Sequence, residues 1–230
     1  MRKKLIIVGT STTSARIYNF IKKHDLFDVI GFALDKSFIE NNSFNNLPIY
    51  DLELIDTILN KDDDLLFVAM AWNRMNRDRK DTFLRLKSKG YNFANIISPG
   101  ANIYGKIIGE NCWIADNVVI ETGAILDSNI IVDHNSYIGS FTQIGSHCYI
   151  GANSFIAGKC IISEQCFIGI RATIFDQVKI GKICLVGACT IVKRNIEDYT
   201  IIKTTINKQS IISSNLMEIE NKLLADKNKR

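Results

Sequence analysis

Val132-Asp-His-Asn-Ser-Tyr-Ile138-Gly-Ser-Phe-Thr-Gln-Ile144-Gly-Ser-His-Cys-Tyr-Ile150-Gly-Ala-Asn-Ser-Phe-Ile156 returns to an aliphatic residue at every sixth position. The same count runs outward from Ile108 to Val192 without an insertion, giving fifteen aliphatic residues in fifteen places. The fourth residue after each is small or apolar, as at Cys112, Ala124, Ser136, Thr142, Cys148 and Cys184. Gly often follows the aliphatic directly, as at Gly109, Gly139, Gly145, Gly151, Gly169, Gly181 and Gly187. A period of six fits neither an isolated helix nor a two-sided sheet, but it fits a parallel β-helix of hexapeptides. Each hexad supplies a short strand and a corner, the aliphatic points inward, and Gly is expected to ease the corner backbone. Three hexads close one triangular coil, so about five coils stack over one apolar column.

Six cysteines raise the question of disulfides or metal. Cys112, Cys148, Cys160, Cys166 and Cys184 fall in the small inward slot, where Cys is a small buried hydrophobe. Cys189 is one place off it. Paired metal-ligand spacing is missing, so no metal is expected.

Upstream, Lys3 to Gly9 reads as a buried strand, and Ser11, Thr12, Thr13 and Ser14 offer N-caps for a helix through Ala15, Ile17, Tyr18 and Ile21. A second strand, Val29 to Leu34, ends at Asp35. Strand, polar turn and helix start favour phosphate, and an acid ending strand two can hold a ribose or base. Gly9, Ser11 and Asp35 are therefore the candidate nucleotide contacts. Gly9-Thr-Ser-Thr-Thr-Ser14 lacks the later glycines of the dinucleotide fingerprint, and a plain strand-to-helix turn would need no more than this. Helices are expected over Leu52–Leu59 and Asn73–Lys89, and a last strand over Tyr91–Ile97, with a hinge at Pro99-Gly100. The expected fold class is a Rossmann-like α/β N-terminal domain followed by a β-helix. The boundaries are 1–98 for a doubly wound α/β unit, 99–200 for the β-helix, and 201–230 for a strand plus a helix over Ser213–Lys227.

The chain has 230 residues, 47% of them hydrophobic, and a net charge of +4. Much of the positive charge sits in Lys222, Lys227, Lys229 and Arg230, and no basic stripe interleaved with aromatics suggests nucleic acid. No run of residues is apolar enough to span a bilayer, and the apolar start at Leu5–Val8 stops after four residues. A cytoplasmic protein without a membrane partner is expected.

These hexads resemble the hexapeptide-repeat acyltransferases, which implies a left-handed β-helix, a homotrimer, and acyl-CoA in clefts between subunits. With Gly9-Thr-Ser, Asp35 and Ser98-Pro-Gly-Ala101, roughly residues 3 to 200 resemble sugar acyltransferases that acetylate sialic acid or nucleotide-linked amino sugars. Nearest in type are the N-acetyltransferases acting on UDP- or dTDP-linked 4-amino-dideoxy sugars. The resemblance implies acetyl-CoA as acyl donor, a nucleotide-linked amino sugar as acceptor, and a place in surface polysaccharide (lipopolysaccharide) synthesis. Two alternatives stay open: O-acetylation of a sugar hydroxyl, and an inactive trimeric scaffold that binds sugar nucleotides.

An amine attacking a thioester must lose a proton, and His suits that task. His24 sits at the end of the first helix, away from the hexads. His134 occupies the third place of a hexad before Ile138-Gly-Ser-Phe141, where the family's catalytic His stands. An acid usually follows that His; here Asn135 follows, so Asp133 takes that part or nothing does. Counting back from Ala157-Gly158 puts the catalytic place on Ser140, one hexad later. Either a hexad is inserted, such as Ile144–Tyr149, or His134 is not the base, which keeps open His147 as a second candidate and a reaction without a protein base. The resemblance maps acyl-CoA contacts to Ile170 and Ala188, with Arg171 and Lys193 available to its phosphates. The Gly-x-Pro-Ala-Lys stretch frequent in relatives is replaced by Ile201-Ile-Lys-Thr-Thr.

Overall fold

The computed structural model describes residues 3–204. The helix expected over Ser213–Lys227 and the basic tail lie outside them. No helix among the described residues is long and apolar enough to cross a membrane.

The first unit is built on β1 (Lys4–Val8), α1 (Thr12–His24), β2 (Asp28–Leu34), β3 (Ser43–Phe44), β4 (Leu47–Asp51), β5 (Leu65–Val68) and α2 (Arg77–Ser88). The sheet order is β3-β4-β2-β1-β5, parallel except for the β3–β4 pair. Strand β1 lies between β2 and β5, and its Leu5-Ile-Ile-Val8 is apolar on both sides because both faces are covered. Leu5 and Ile7 pack with Ile17, Phe20 and Ile21 of α1, while Ile6 and Val8 pack with Phe83 and Leu86 of α2. Two expected helices are shorter here. Only Ile55–Thr57 forms a 3-10 turn within Leu52–Leu59, and α2 starts at Arg77 because Arg74, Met75 and Asn76 adopt positive φ.

The second unit is a column of three parallel sheets, stacked as in a left-handed β-helix. Face one runs from Ile96–Ile97 through Trp113–Ile114 to Ile201–Ile202, with seven strands. Face two has six, from Asn102–Ile103 to Ile191–Val192, and face three has five, from Lys106–Ile107 to Lys179–Ile180. Partners repeat at 18 residues, as Trp113 with Ile131 and Ile131 with Tyr149. The ladder therefore begins at Ile96, ahead of the boundary expected at 98, and Pro99-Gly100 lies inside the first coil.

That first coil breaks the six-residue count. Tyr104-Gly105 alone joins faces two and three, because Gly105 sits where a Cβ would be 2.6 Å from the Ala124 carbonyl. Ile107 thus packs on the core, and Ile108, the expected first inward residue, is 64% exposed. The expected role of the repeated glycines also changes. Gly139 and Gly169 are needed for space, since a Cβ on either would lie 2.5 Å from the next coil's backbone. Positive φ falls instead two places later, at Asn111, Asn117, Asn129, Asn135, His147 and Asn153 among others. Asn tolerates that backbone best of the non-glycine residues, which explains its recurrence.

The small inward slot does more than fill space. Ser136, Thr142 and Ser154 donate to carbonyls fifteen residues on, at 2.8 to 3.0 Å. Cys112, Cys148, Cys160 and Cys166 place Sγ 3.0 to 3.1 Å from the equivalent carbonyls. All six cysteines are free, the five in the slot are buried, and burial pushes the Cys112 thiol up to about 12. Here the thiol is a small hydrophobe that also serves as a weak hydroxyl substitute.

Candidate active site at the corner between faces one and two

The α/β unit lies against face one of the β-helix. Trp113, Ile131 and Tyr149 of face one are buried in the same cluster as Phe20 and Ile21 of α1. Ile131 and Tyr149 are therefore covered by their own chain. Along the next corner α2 runs beside a ladder of side chains 18 residues apart. Asn111 Nδ2 donates to Asn129 Oδ1 at 2.8 Å, and Asn129 Nδ2 meets His147 Nδ1 at 2.8 Å. Arg79 of α2 is fully buried and donates to carbonyls of Asn129, His147 and Cys148. Burial lowers that guanidinium to about 10.

His147 is consequently not displayed. It is 5% exposed, and burial, with Lys80 and Arg79 nearby, lowers its imidazole to about 4. Its place is that of a third rung in the asparagine ladder, holding the two units together.

His134 stands on the other corner of face one and is half-buried. Asp133 Oδ1 lies 2.7 Å from His134 Nδ1 and also accepts the His134 backbone N–H at 2.9 Å. The other carboxylate oxygen accepts from Tyr149 Oη at 3.0 Å and pairs with Arg16 of α1 at 3.3 Å. Burial alone would raise the Asp133 carboxyl, but the His134 N–H, Arg16 and Tyr149 outweigh it and hold it below the usual value. An ionised Asp133 fixes the proton on Nδ1 and leaves Nε2 as the acceptor, which is the arrangement of a general base. Trp113 supports both partners: its ring is edge-on to His134 at 6.2 Å, and Arg16 lies 4.3 Å over its face.

Above His134 the corner carries short side chains apart from Ile170, which is 52% exposed, and Arg171. Asn153 N–H bonds the His134 carbonyl at 2.9 Å, Arg171 the Ala152 carbonyl at 3.0 Å, and Cys189 the Ile170 carbonyl at 2.9 Å. Ala152, Ile170 and Ala188 therefore stack over His134, and Gly151, Gly169 and Gly187 stack over Asp133. The amides of Ile170 and Ala188 make no backbone hydrogen bond among the described residues. Arg171 is exposed on this corner, whereas Lys193 belongs to the corner after face two, with its ammonium 5.3 Å over Phe175.

The α/β unit opens a cleft of about 850 Å³ at the carboxyl ends of β1, β2 and β5. Gly9, Ser11, Asp35, Ala71, Asn73 and Arg74 line it. Gly9 has φ +117, and a Cβ there would lie 3.0 Å from Ser14 Oγ, so glycine is required. Ser14 Oγ accepts the Ser11 N–H at 3.2 Å and donates to Ala69 O at 3.0 Å, tying α1 to the strand tips. The first turn of α1 carries no acid, which leaves its amide end open to an anion. Asp35 faces the cleft but is held by Arg85 of α2 at 2.7 Å. Arg16 follows Thr12 by one turn, about 6 Å along the axis. Helix α1 thus bounds the cleft at its start and grips Asp133 one turn later.

The sequence-based candidates lacked Arg16, Tyr149, Trp113 and also Asp116, whose Oδ2 lies 3.9 Å from His134 Nε2. Asp116 was within reach, since it stands one 18-residue coil before His134. Arg16 and Tyr149 carried no local signal.

The hexapeptide repeat model of succinyl-transferase type matches residues 106–140, 142–158 and 159–194. The β-helix is a hexapeptide-repeat domain. No curated protein matches the chain. Among solved structures, the acetyltransferase domain of PglB from Neisseria gonorrhoeae FA1090, in complex with acetyl coenzyme A, is 19% identical with a TM-score of 0.78. It covers 89% of this chain and 97% of its own. Perosamine N-acetyltransferase from Caulobacter crescentus, with one histidine replaced by asparagine and in complex with CoA and GDP-perosamine, is 21% identical with a TM-score of 0.77, over 91% and 97% of the two chains. WeeI from Acinetobacter baumannii AYE is 17% identical with a TM-score of 0.74, over 88% and 97%. These likenesses show that the two-unit fold is shared.

Proposed function

We propose that this chain is an acetyl-CoA-dependent N-acetyltransferase acting on the amino group of a nucleotide-linked amino-dideoxy sugar. The observation that carries the reading is the Asp133–His134 pair, half-buried below Ala152, Ile170 and Ala188 and joined through Arg16 of α1 to an anion-accepting cleft. The solved proteins of the same fold, with acetyl coenzyme A in one and CoA with GDP-perosamine in another, support it. The cleft at Gly9, Ser11 and Asp35 takes the nucleotide. The amides of Ile170 and Ala188 take the pantetheine arm, and Arg171 takes a CoA phosphate. Lys193, at the next corner, reaches a phosphate only if that corner meets this one in an assembly. The sugar amine attacks the thioester carbonyl, the new C–N bond forms, and His134 Nε2 removes the amine proton. The C–S bond then breaks and the proton passes to the leaving thiolate. Asp133, held by Arg16 and Tyr149, steadies the imidazolium in between.

The test is thiol release from acetyl-CoA with UDP-, dTDP- and GDP-linked 4-amino-4,6-dideoxyhexoses and their 4-hydroxy counterparts. Turnover with an amine supports this reading. Turnover with hydroxyls alone would make the chain an O-acetyltransferase, and none at all would leave a binding scaffold for a cytoplasmic polysaccharide pathway.

Replacing Asp35 by Ala is expected to raise the KM for the nucleotide sugar severalfold with kcat nearly unchanged, because it removes binding shared by ground and transition states. An unchanged KM would remove Asp35 from the nucleotide site.

The assembly proposed is a homotrimer closed through face two. That face carries Val119, Tyr137, Phe155, Thr173 and Ile191 in a row, with Phe155 45% and Ile191 55% exposed, and Tyr137 stacked on Phe155 at 4.7 Å. Sedimentation at micromolar concentration should give a species of three chains, and a stable monomer would exclude a site shared between subunits.

A further inference from the structure

The nitrogen that His134 turns outward has a second acceptor beside it. Nδ1 is committed to Asp133, so Nε2 carries the lone pair, and Asp116 Oδ2 lies 3.9 Å away. Asp116 stands one coil below His134 on the same corner, and its carbonyl accepts the Asn135 N–H at 3.0 Å. Its other carboxylate oxygen accepts from the Ser98 hydroxyl, which in turn accepts the Gly100 N–H at 3.0 Å. The carboxylate is therefore oriented, with Oδ2 toward Nε2, and its side chain is 33% exposed.

A gap of 3.9 Å is too long for a hydrogen bond between the two groups, but it suits one donor atom placed between them. A nitrogen 2.9 Å from each would see them about 85° apart, close enough to tetrahedral to direct one N–H at each. A hydroxyl has a single hydrogen, so it would meet one acceptor with its lone pairs. An amino group that arrives as an ammonium also gains a charge-assisted bond to the carboxylate, and it becomes the nucleophile once one ammonium proton has passed to solvent.

We infer that Asp116 holds the substrate's amino nitrogen beside His134 Nε2 and thereby selects an amine over a hydroxyl as acyl acceptor, an inference that rests on the acyl-transfer reading above. Asp116 forms no covalent bond and takes no proton; removal of the proton stays with His134.

The experiment measures affinity without acyl donor, by titration calorimetry of wild type and Asp116→Asn. The probes are the nucleotide-linked 4-amino-4,6-dideoxyhexose that turns over fastest in the panel and its 4-hydroxy counterpart. Asp116→Asn should weaken the amine at least tenfold and leave the hydroxy sugar unchanged or tighter. Equal weakening of both, or of neither, overturns the inference, since a purely structural Asp116 could not tell them apart. Should Asp116→Asn fail to fold, Ser98→Ala frees the same carboxylate: it should weaken the amine several-fold and spare the hydroxy sugar, and any other pattern counts against the inference. If no amine in the panel is acetylated, the acyl-transfer reading falls and takes this one with it. Acetylation of an amine whose affinity ignores Asp116→Asn removes only this one.

Discussion

Replacing His134 by Asn should lower kcat by about a hundred- to ten-thousandfold, the usual worth of a positioned general base. Asn keeps a polar side chain beside Asp133 but cannot take the amine proton. The KM for acetyl-CoA should hold, because the proposed donor contacts are backbone amides at Ile170 and Ala188, coils away from the substitution. Steady-state kinetics on the best amine of the panel read both quantities. A fall of under about tenfold would mean that the proton leaves by water or another group. His147→Asn is the paired control. His147 is buried under α2 with Nδ1 against Asn129, so its loss should leave kcat near the wild-type value. A large kcat loss there, with His134 tolerant, would move the reacting centre to the other corner of face one.

His147→Asn should instead change how the protein responds to acid. Burial, with Lys80 and Arg79 close by, lowers the imidazole in the folded chain from 6.5 to about 4. Above pH 6.5 the group is neutral in both states and costs nothing. Between 6.5 and 4 the unfolded chain binds a proton that the folded chain refuses, so stability is lost as pH falls through this window. At pH 4 the loss amounts to about 3 kcal/mol from this residue. Asn at position 147 continues the ladder of Asn111 and Asn129, accepts the same positive φ, and does not titrate. Urea unfolding at pH 7.5 and pH 4 should therefore show a smaller acid loss in the variant, by about 3 kcal/mol. Parallel losses in both proteins would mean that His147 is solvated and charged in the folded state.

The hexads made the β-helix legible because its contacts are periodic. A residue's neighbours in the column stand 18 positions away, so an aliphatic every sixth position fixes which side chains meet inside. The slot cysteines and the turn at Gly9 could be read for the same reason: each depends on a short stretch and its own backbone. Asp133 as the partner of His134 was also readable, since adjacent residues at a corner can close on each other. The count failed where the period failed, at Tyr104-Gly105, where a two-residue turn put Ile107 inward in place of Ile108.

What the sequence could not separate were two histidines on two corners of the same coil. Both lie near a corner in the hexad count, and only the docking of the α/β unit makes them different. Helix α2 closes over His147 and lowers its basicity by burial, while α1 sends Arg16 to fasten Asp133 and His134 stays half-buried. These contacts join residues 117 apart for Arg16 with Asp133 and 68 apart for Arg79 with His147. No repeat encodes them. The sequence by itself determined the column and what fills it; the tertiary structure decided which corner is covered and which is open, because burial depends on the unit packed against the helix and not on the hexad.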